Sequence, residues 1–161
     1  DYNSELYNEY IYGSAEVVGL MCLQVFTEGN RKQFDELKPY AMKLGSAFQK
    51  INFLRDLKED YQTLGRSYFP NVDMELFDRD IKYQIEKEIE EEFAEALIGI
   101  KKLPNSSKFG VYLAYKYYLL LFSKIKKKSP VEILSNRTRV PNAQKAYVAF
   151  KSYLRYKVAV L

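Results

Sequence analysis

The chain of 161 residues contains no histidine and a single cysteine, Cys22. Without imidazole, His-based metal centres and His-dependent catalytic triads are excluded, and a metal here needs oxygen ligands. One cysteine excludes an internal disulfide and fits a reducing compartment. No run of about 18 uninterrupted apolar residues occurs, so no transmembrane helix is expected. The opening stretch DYNSELYNEY is acidic and polar, whereas a secretory leader needs a cationic flank and an apolar core, so none is expected. A cytoplasmic protein is the expectation, with peripheral contact at a membrane as an added option.

What is present points to a packed core: 47% of residues are hydrophobic and 16% aromatic, too many for a disordered chain. The length is one domain's worth. Charge is divided sharply, because residues 1–100 carry 11 Lys and Arg against 20 Asp and Glu, and residues 101–161 carry 14 against one, Glu132. An acidic part and a basic part that serve different partners, or each other, fit this division.

Periodicity reads as helix nearly everywhere, with Gly and Pro at the joints. A first helix is expected over about Tyr7 to Phe26, stopped at Glu28-Gly29-Asn30. A second is expected from Arg31 through Asp60, with a bend at Pro39 as an option. An irregular segment follows, Leu64 to Asp73. A third helix, about Met74 to Lys102, carries an apolar column at Ile81, Ile85, Ile89, Phe93, Leu97 and Ile100 that marks a core face. A fourth, Lys108 to Lys128, takes Ser106 or Ser107 as its N-cap. Ser129-Pro130 opens a short helix, and a basic, aromatic helix begins near Asn142. Five or six antiparallel helices in an all-α bundle are the simplest architecture.

The second helix holds the chemistry. At 100° per residue, Gly45, Gln49, Asn52, Asp56 and Asp60 fall within about 80° of one another, on one narrow face. Lys50, Lys58 and Glu59 lie off it. Two amides and two carboxylates in a column present hard oxygen ligands at i, i+4 and i+8, the kind Mg²⁺ prefers when it bridges a protein to substrate phosphates. A solvated acidic face paired to Arg55 or Lys58 is the plainer alternative. On the first helix Tyr10, Gly13, Ser14, Val17, Met21 and Gln24 share a face that could wall a cavity or simply pack.

The run Leu44-Gly45-Ser46-Ala47-Phe48-Gln49-Lys50-Ile51-Asn52-Phe53-Leu54-Arg55-Asp56-Leu57-Lys58-Glu59-Asp60, followed by Gly65-Arg66-Ser67-Tyr68-Phe69-Pro70, resembles the second aspartate-rich motif of the squalene and phytoene synthase family. Tyr10-Ile11-Tyr12-Gly13-Ser14-Ala15 with Val18-Gly19, then Leu103-Pro104 with Ser107, and Arg139-Val140-Pro141 with Lys145, are similar to further family patterns. The resemblance implies an all-helical isoprenoid synthase bundle that joins two prenyl diphosphates head to head through a cyclopropyl intermediate, with Mg²⁺ holding the diphosphates. Carried over, it makes Asp56, Asp60 and Asn52 the metal ligands, and Asp56, Asp60 and Tyr10 the catalytic residues. Gln49, Asn52, Arg55, Tyr68, Tyr118, Arg139, Ser14 and Val17 become substrate-binding residues. Gly65-Arg66 with Tyr68 and Pro70 looks more like carotenoid-forming members acting on geranylgeranyl diphosphate than like squalene-forming ones.

The chain departs from the family in two places. The family has two facing aspartate clusters, whereas only the one at Asp56 and Asp60 is found, and Glu16 stands where a small residue is usual. The expectation is therefore that residues 1–161 form the C-terminal portion of one synthase domain whose N-terminal helices lie outside this chain. Apolar faces left open by such a division would favour association with a second copy. A squalene-type synthase and a non-catalytic helical module that binds isoprenoid or membrane are the alternatives. The basic final third admits three readings: diphosphate binding, attraction to an anionic membrane surface, or nucleic acid. The last is set aside because Tyr115, Tyr117, Tyr118 and Phe122 sit in an apolar helix.

Overall fold

A computed structural model describes residues 4–59, 69 and 77–158. Among the described residues the elements are helices only: α1 (Ser4–Ile11), a π-helical stretch (Tyr12–Glu16), α2 (Val17–Phe26), α3 (Arg31–Lys58), α4 (Arg79–Lys102), α5 (Asn105–Lys126), α6 (Pro130–Ser135) and α7 (Asn142–Lys157). The all-α bundle expected from periodicity is therefore what forms.

The first rod runs without a break from α1 into α2, since Ile11 and Val17, on either side of the π-helical stretch, keep helical backbone angles. It stops where Glu28 and Gly29 enter the left-handed region, at φ 50° and 81°. A glycine is suited to that conformation. Asn30 then caps α3, its side-chain oxygen accepting from Gln33 N at 3.1 Å. α3 passes through Pro39 as one helix, so no new turn starts there.

Two boundaries differ from the sequence expectation. Phe77 and Asp78 are not helical, and α4 begins at Arg79 rather than near Met74. Asp78 is the reason, because its carboxylate accepts from the Asp80 and Ile81 amides at 2.9 Å, the usual work of an N-cap. α5 begins at Asn105, with Pro104 at the N-cap position and neither serine in that role. Ser107 Oγ instead donates to the Pro104 carbonyl at 3.3 Å. Ser129 and Glu132 close a reciprocal capping box at the start of α6.

α3 is the central helix and packs against α1, α2, the π-helical stretch, α4, α5 and α6. Its Ile51, Leu54 and Leu57 are fully buried, together with Ile89 of α4, Ile125 of α5 and Ile133 of α6. Each such side chain contributes about 1.5–3 kcal/mol relative to exposure. Around them Phe93 gathers Tyr115 at 5.2 Å, Phe48 at 6.1 Å and Phe122 at 6.2 Å between ring centroids. The apolar column expected on α4 does face this core. A smaller cluster, Leu23, Leu37 and Leu103, closes the far end.

The first rod approaches α3 through glycine. A Cβ added at Gly45 would lie 2.6 Å from the Ala15 carbonyl oxygen, and one at Gly19 would lie 2.8 Å from that of Ala41. Both obstacles are backbone and cannot rotate away. Gly45→Ala is expected to lower stability by about 1–3 kcal/mol, read as a lower urea midpoint. Gly110→Ala, where a Cβ meets nothing within 4 Å, is expected to be neutral or to stabilise by up to about 1 kcal/mol.

Candidate functional site

An apolar cavity of about 650 Å³ lies between α2, α3, α4 and α5. Val18, Leu44, Phe48, Leu103 and Val111 supply much of its apolar wall, and Ser14, Gln49, Asn52 and Tyr118 bring polar groups to it. Gly45, Gln49 and Asn52 of the predicted stripe all reach this space. Tyr118 stacks on Phe48 at 3.8 Å with 14° between the planes. Its hydroxyl donates to Asn52 Oδ1 at 3.3 Å. Ring stacking and hydrogen bond together fix the orientation of the Asn52 amide.

One turn further along α3, Asp56 is held between two arginines. Arg55 donates from Nε to Oδ1 at 2.9 Å and from NH2 to Oδ2 at 2.5 Å. Arg137, in the segment joining α6 to α7, brings Nε to 2.8 Å from Oδ1 and donates from NH1 to Glu59 at 3.3 Å. The hydrogen bond from Arg55 to Asp56 raises the Arg55 pKa, against the opposing effect of burial. The Asp56 side chain is about 20% exposed, so this charged cluster sits at the protein edge, where solvent screens it in part.

The remaining predicted residues are placed as follows. Tyr10 is 39% exposed and lies 5.8 Å from the Phe53 ring. Ser14 lines the cavity, but its hydroxyl donates to the Tyr10 carbonyl at 2.6 Å. Val17, Met21 and Gln24 do not line the cavity; Ser14, Ala15, Val18, Gly19 and Cys22 do. The π-helical stretch explains the difference. Its wider turn shifts the phase of the helix, so a wheel drawn at 100° per residue through residues 10–24 points the wrong side inward. Arg139 is exposed, and the ion pair to Asp56 comes from Arg137, two residues earlier. Asp60 and Tyr68 lie outside the described residues.

Sequence reasoning placed Lys50 off the functional stripe and assigned it nothing. It is in fact 4% exposed and pairs with Glu92 of α4 at 2.8 Å and with Glu88. Ser46 Oγ donates to the same Glu92 oxygen at 2.8 Å. The signal was available: Ser46 and Lys50 are four apart on α3, Glu88 and Glu92 are four apart on α4, and the two columns complement one another. Burial pushes the Glu92 carboxyl above its ordinary range, against the pull of Lys50. Glu16, on the π-helical stretch, is pushed up as well, by burial and by the neighbouring Glu92 charge.

The donor set can be tested against the divalent cation that the aspartate motif implies. Asn52 and Asp56 offer an amide and a carboxylate oxygen one turn apart, the hard ligands Mg²⁺ takes. A carboxylate accepts at about four lone-pair positions, and Arg55 occupies two of those on Asp56, with Arg137 ion-paired to Oδ1. Acceptor capacity is left for a metal, so the residues fit a cation held by few protein ligands and completed by a diphosphate. Among the described residues no cluster of three Asp, Glu or Cys gathers that could hold a metal by itself.

The model of the squalene/phytoene synthase family aligns with residues 3–144 of this helical bundle. The chain belongs to that family. A relative in the same class, the 4,4'-diapophytoene synthase of Staphylococcus haemolyticus (strain JCSC1435), is 35% identical over 80 residues. The aligned part covers 50% of this chain and 27% of that relative.

The Lys50–Glu92 pair yields a stability test. Lys50→Met leaves buried Glu92 with only the more distant, exposed Lys43 ammonium, at 3.9 Å, and is expected to cost up to about 3–5 kcal/mol at neutral pH. The folded pKa of Glu92 is raised, so the folded state takes up this proton at higher pH than the unfolded chain does. Its stability contribution is present at low pH and lost as pH rises. The Lys50→Met deficit should therefore shrink from neutral toward about pH 5, and Lys50→Met with Glu92→Leu should recover most of it. Urea unfolding at both pH values checks this.

Proposed function

We propose that this chain is the C-terminal portion of an all-α isoprenoid synthase domain that condenses two prenyl diphosphates head to head with the help of Mg²⁺. The carotenoid-forming branch, using geranylgeranyl diphosphate or a shorter homologue, is preferred to the squalene type. Membership of the family supports this reading, and the diapophytoene synthase relative supports the choice of branch. The observation that carries it is the placement of Asn52 and Asp56. Asn52 lines the apolar cavity, and Asp56 follows one turn further along α3, beyond the cavity wall, with Arg55 and Arg137 beside it.

In this reading Asp56, Asn52 and Asp60 hold the cation. Bound there, Mg²⁺ supplies charge compensation to a departing diphosphate. Arg55 and Arg137 add two fixed positive charges on the same side, where they meet phosphate oxygens in a partly desolvated setting. Gln49 and Tyr118 bring polar groups to the cavity wall, where they face the bound prenyl diphosphate in this reading. Tyr118, stacked on Phe48, turns an aromatic surface toward an allylic cation, a contact that contributes roughly 0.5–2 kcal/mol. The apolar wall from Val18 to Val111 offers that cation no nucleophile. Tyr10 and Tyr68 belong to the same reading through the motif, with Ser14 on the first rod and Arg139 in the segment between α6 and α7; Val17, off the cavity wall, does not.

The test uses the full gene product with farnesyl and geranylgeranyl diphosphates, measuring organic-extractable product. Asp56→Asn is expected to lower turnover by about 100-fold or more, and chelation of Mg²⁺ should abolish it. Arg137→Ala is expected to raise KM for diphosphate by about tenfold. Product formation that survives both Asp56→Asn and chelation would overturn the proposal. Prenyl diphosphate binding with no product would favour the non-catalytic module.

A further inference from the structure

The family match ends at residue 144, in the first turn of α7, and the rest of that helix has a surface that the synthase reading does not use. α7 packs against α5. Ser152 is buried, and Val148, Ala149 and Tyr156 are half-buried. Phe109 of α5 sits 5.2 Å from the Tyr156 ring and 6.0 Å from that of Tyr153. Tyr156 also donates to the Asn105 carbonyl at 3.3 Å.

The opposite side of the same helix is also apolar. Tyr147, Phe150, Leu154 and Val158 are all exposed, Phe150 to 62%. At 100° per residue these four fall within about 80° of one another, a stripe pointing away from the bundle. Cations flank it, Lys151 and Arg155 on one side and Lys157 on the other. The Lys151 ammonium lies 5.8 Å from the Tyr147 ring centre, and that of Lys157 lies 5.7 Å from Tyr153. No Asp or Glu occurs from Ile133 to Val158, whereas α7 carries four Lys and Arg.

An amphipathic surface helix normally turns charge outward. Here an apolar ridge edged by cations faces outward, with aromatic side chains along it. Tyr and Phe settle at the boundary between headgroups and acyl chains, while Lys and Arg stems lie along the apolar surface and place their charges among anionic headgroups. We propose that the outward face of α7 docks the protein on the surface of an anionic lipid bilayer. The complete absence of carboxylates on the helix favours a surface whose charge is uniformly negative. The convex, single-helix shape of the ridge favours a soft, flat partner over a groove. The inference stands apart from the synthase reading, because vesicle binding needs no prenyl diphosphate.

Flotation of the full gene product tests it, with vesicles of phosphatidylcholine alone and vesicles in which about one third is phosphatidylglycerol. Binding is expected to be at least about tenfold tighter to the anionic vesicles and to weaken as salt is raised. Phe150→Glu with Leu154→Glu should reduce it by at least about tenfold, with an unchanged thermal melt because both positions are solvent-facing. Lys151→Gln with Arg155→Gln, which removes charge at two exposed positions, should weaken binding to anionic vesicles and leave residual binding to neutral ones unaltered. Equal binding to both vesicle types would overturn the proposal, as would binding indifferent to the α7 variants. So would a wild-type protein that stays off vesicles and is instead a dimer that Phe150→Glu with Leu154→Glu converts to monomer in light scattering.

Discussion

The close approach of the π-helical stretch to Gly45 is the contact on which the site geometry depends. The carbonyl of Ala15 lies where a side chain on α3 would begin, so the two helices meet backbone to backbone at this point. That contact sets the spacing of α2 from α3, and with it the width of the cavity between them. It also explains why the predicted polar column starts at a residue without a side chain. Gly45 lets the first rod reach α3 one turn before Gln49 and Asn52 turn their amides into the space beside it.

Around that contact the protein uses polar groups in two different ways. On one face of α3, Ser46 and Lys50 are buried against Glu88 and Glu92, where a cation and a carboxylate out of water are tolerated because they are paired and hydrogen-bonded. On the neighbouring face, Asn52 and Asp56 remain accessible, braced by Tyr118 and by two guanidinium groups. The first set holds α3 to α4. The second presents an amide in the cavity wall and a carboxylate one turn beyond it. Neighbouring faces of one helix thus divide between fastening the bundle and presenting ligands, and the central position of α3 is what lets it do both.

Much of this could be read before any coordinates. Gly29, Pro104, Pro130 and Pro141 marked helix joints, although Pro39 and several glycines lie inside helices; the α4 column of Ile and Phe identified its core face, and the column from Gly45 to Asp56 on α3 carried the family likeness. The reading was less successful where three-dimensional pairing decided the outcome. A regular helical wheel could not anticipate a π-helical turn, so it sent Val17, Met21 and Gln24 toward the cavity in place of Ala15, Val18 and Cys22. Arg137 was passed over for Arg139, because the choice between two arginines in the segment between α6 and α7 depends on where it crosses α3. Lys50 looked like surface charge because its partners lie 38 and 42 residues away in sequence.

Cys22 has been described only as one residue of the cavity wall. It is also the sole thiol of this chain, and it is exposed. A maleimide or a spin label attached to this chain would therefore report from one known point in the wall. Labelling rate there would measure how much of the cavity a bound molecule fills. The sequence has in effect left a single chemical address at the place where occupancy matters.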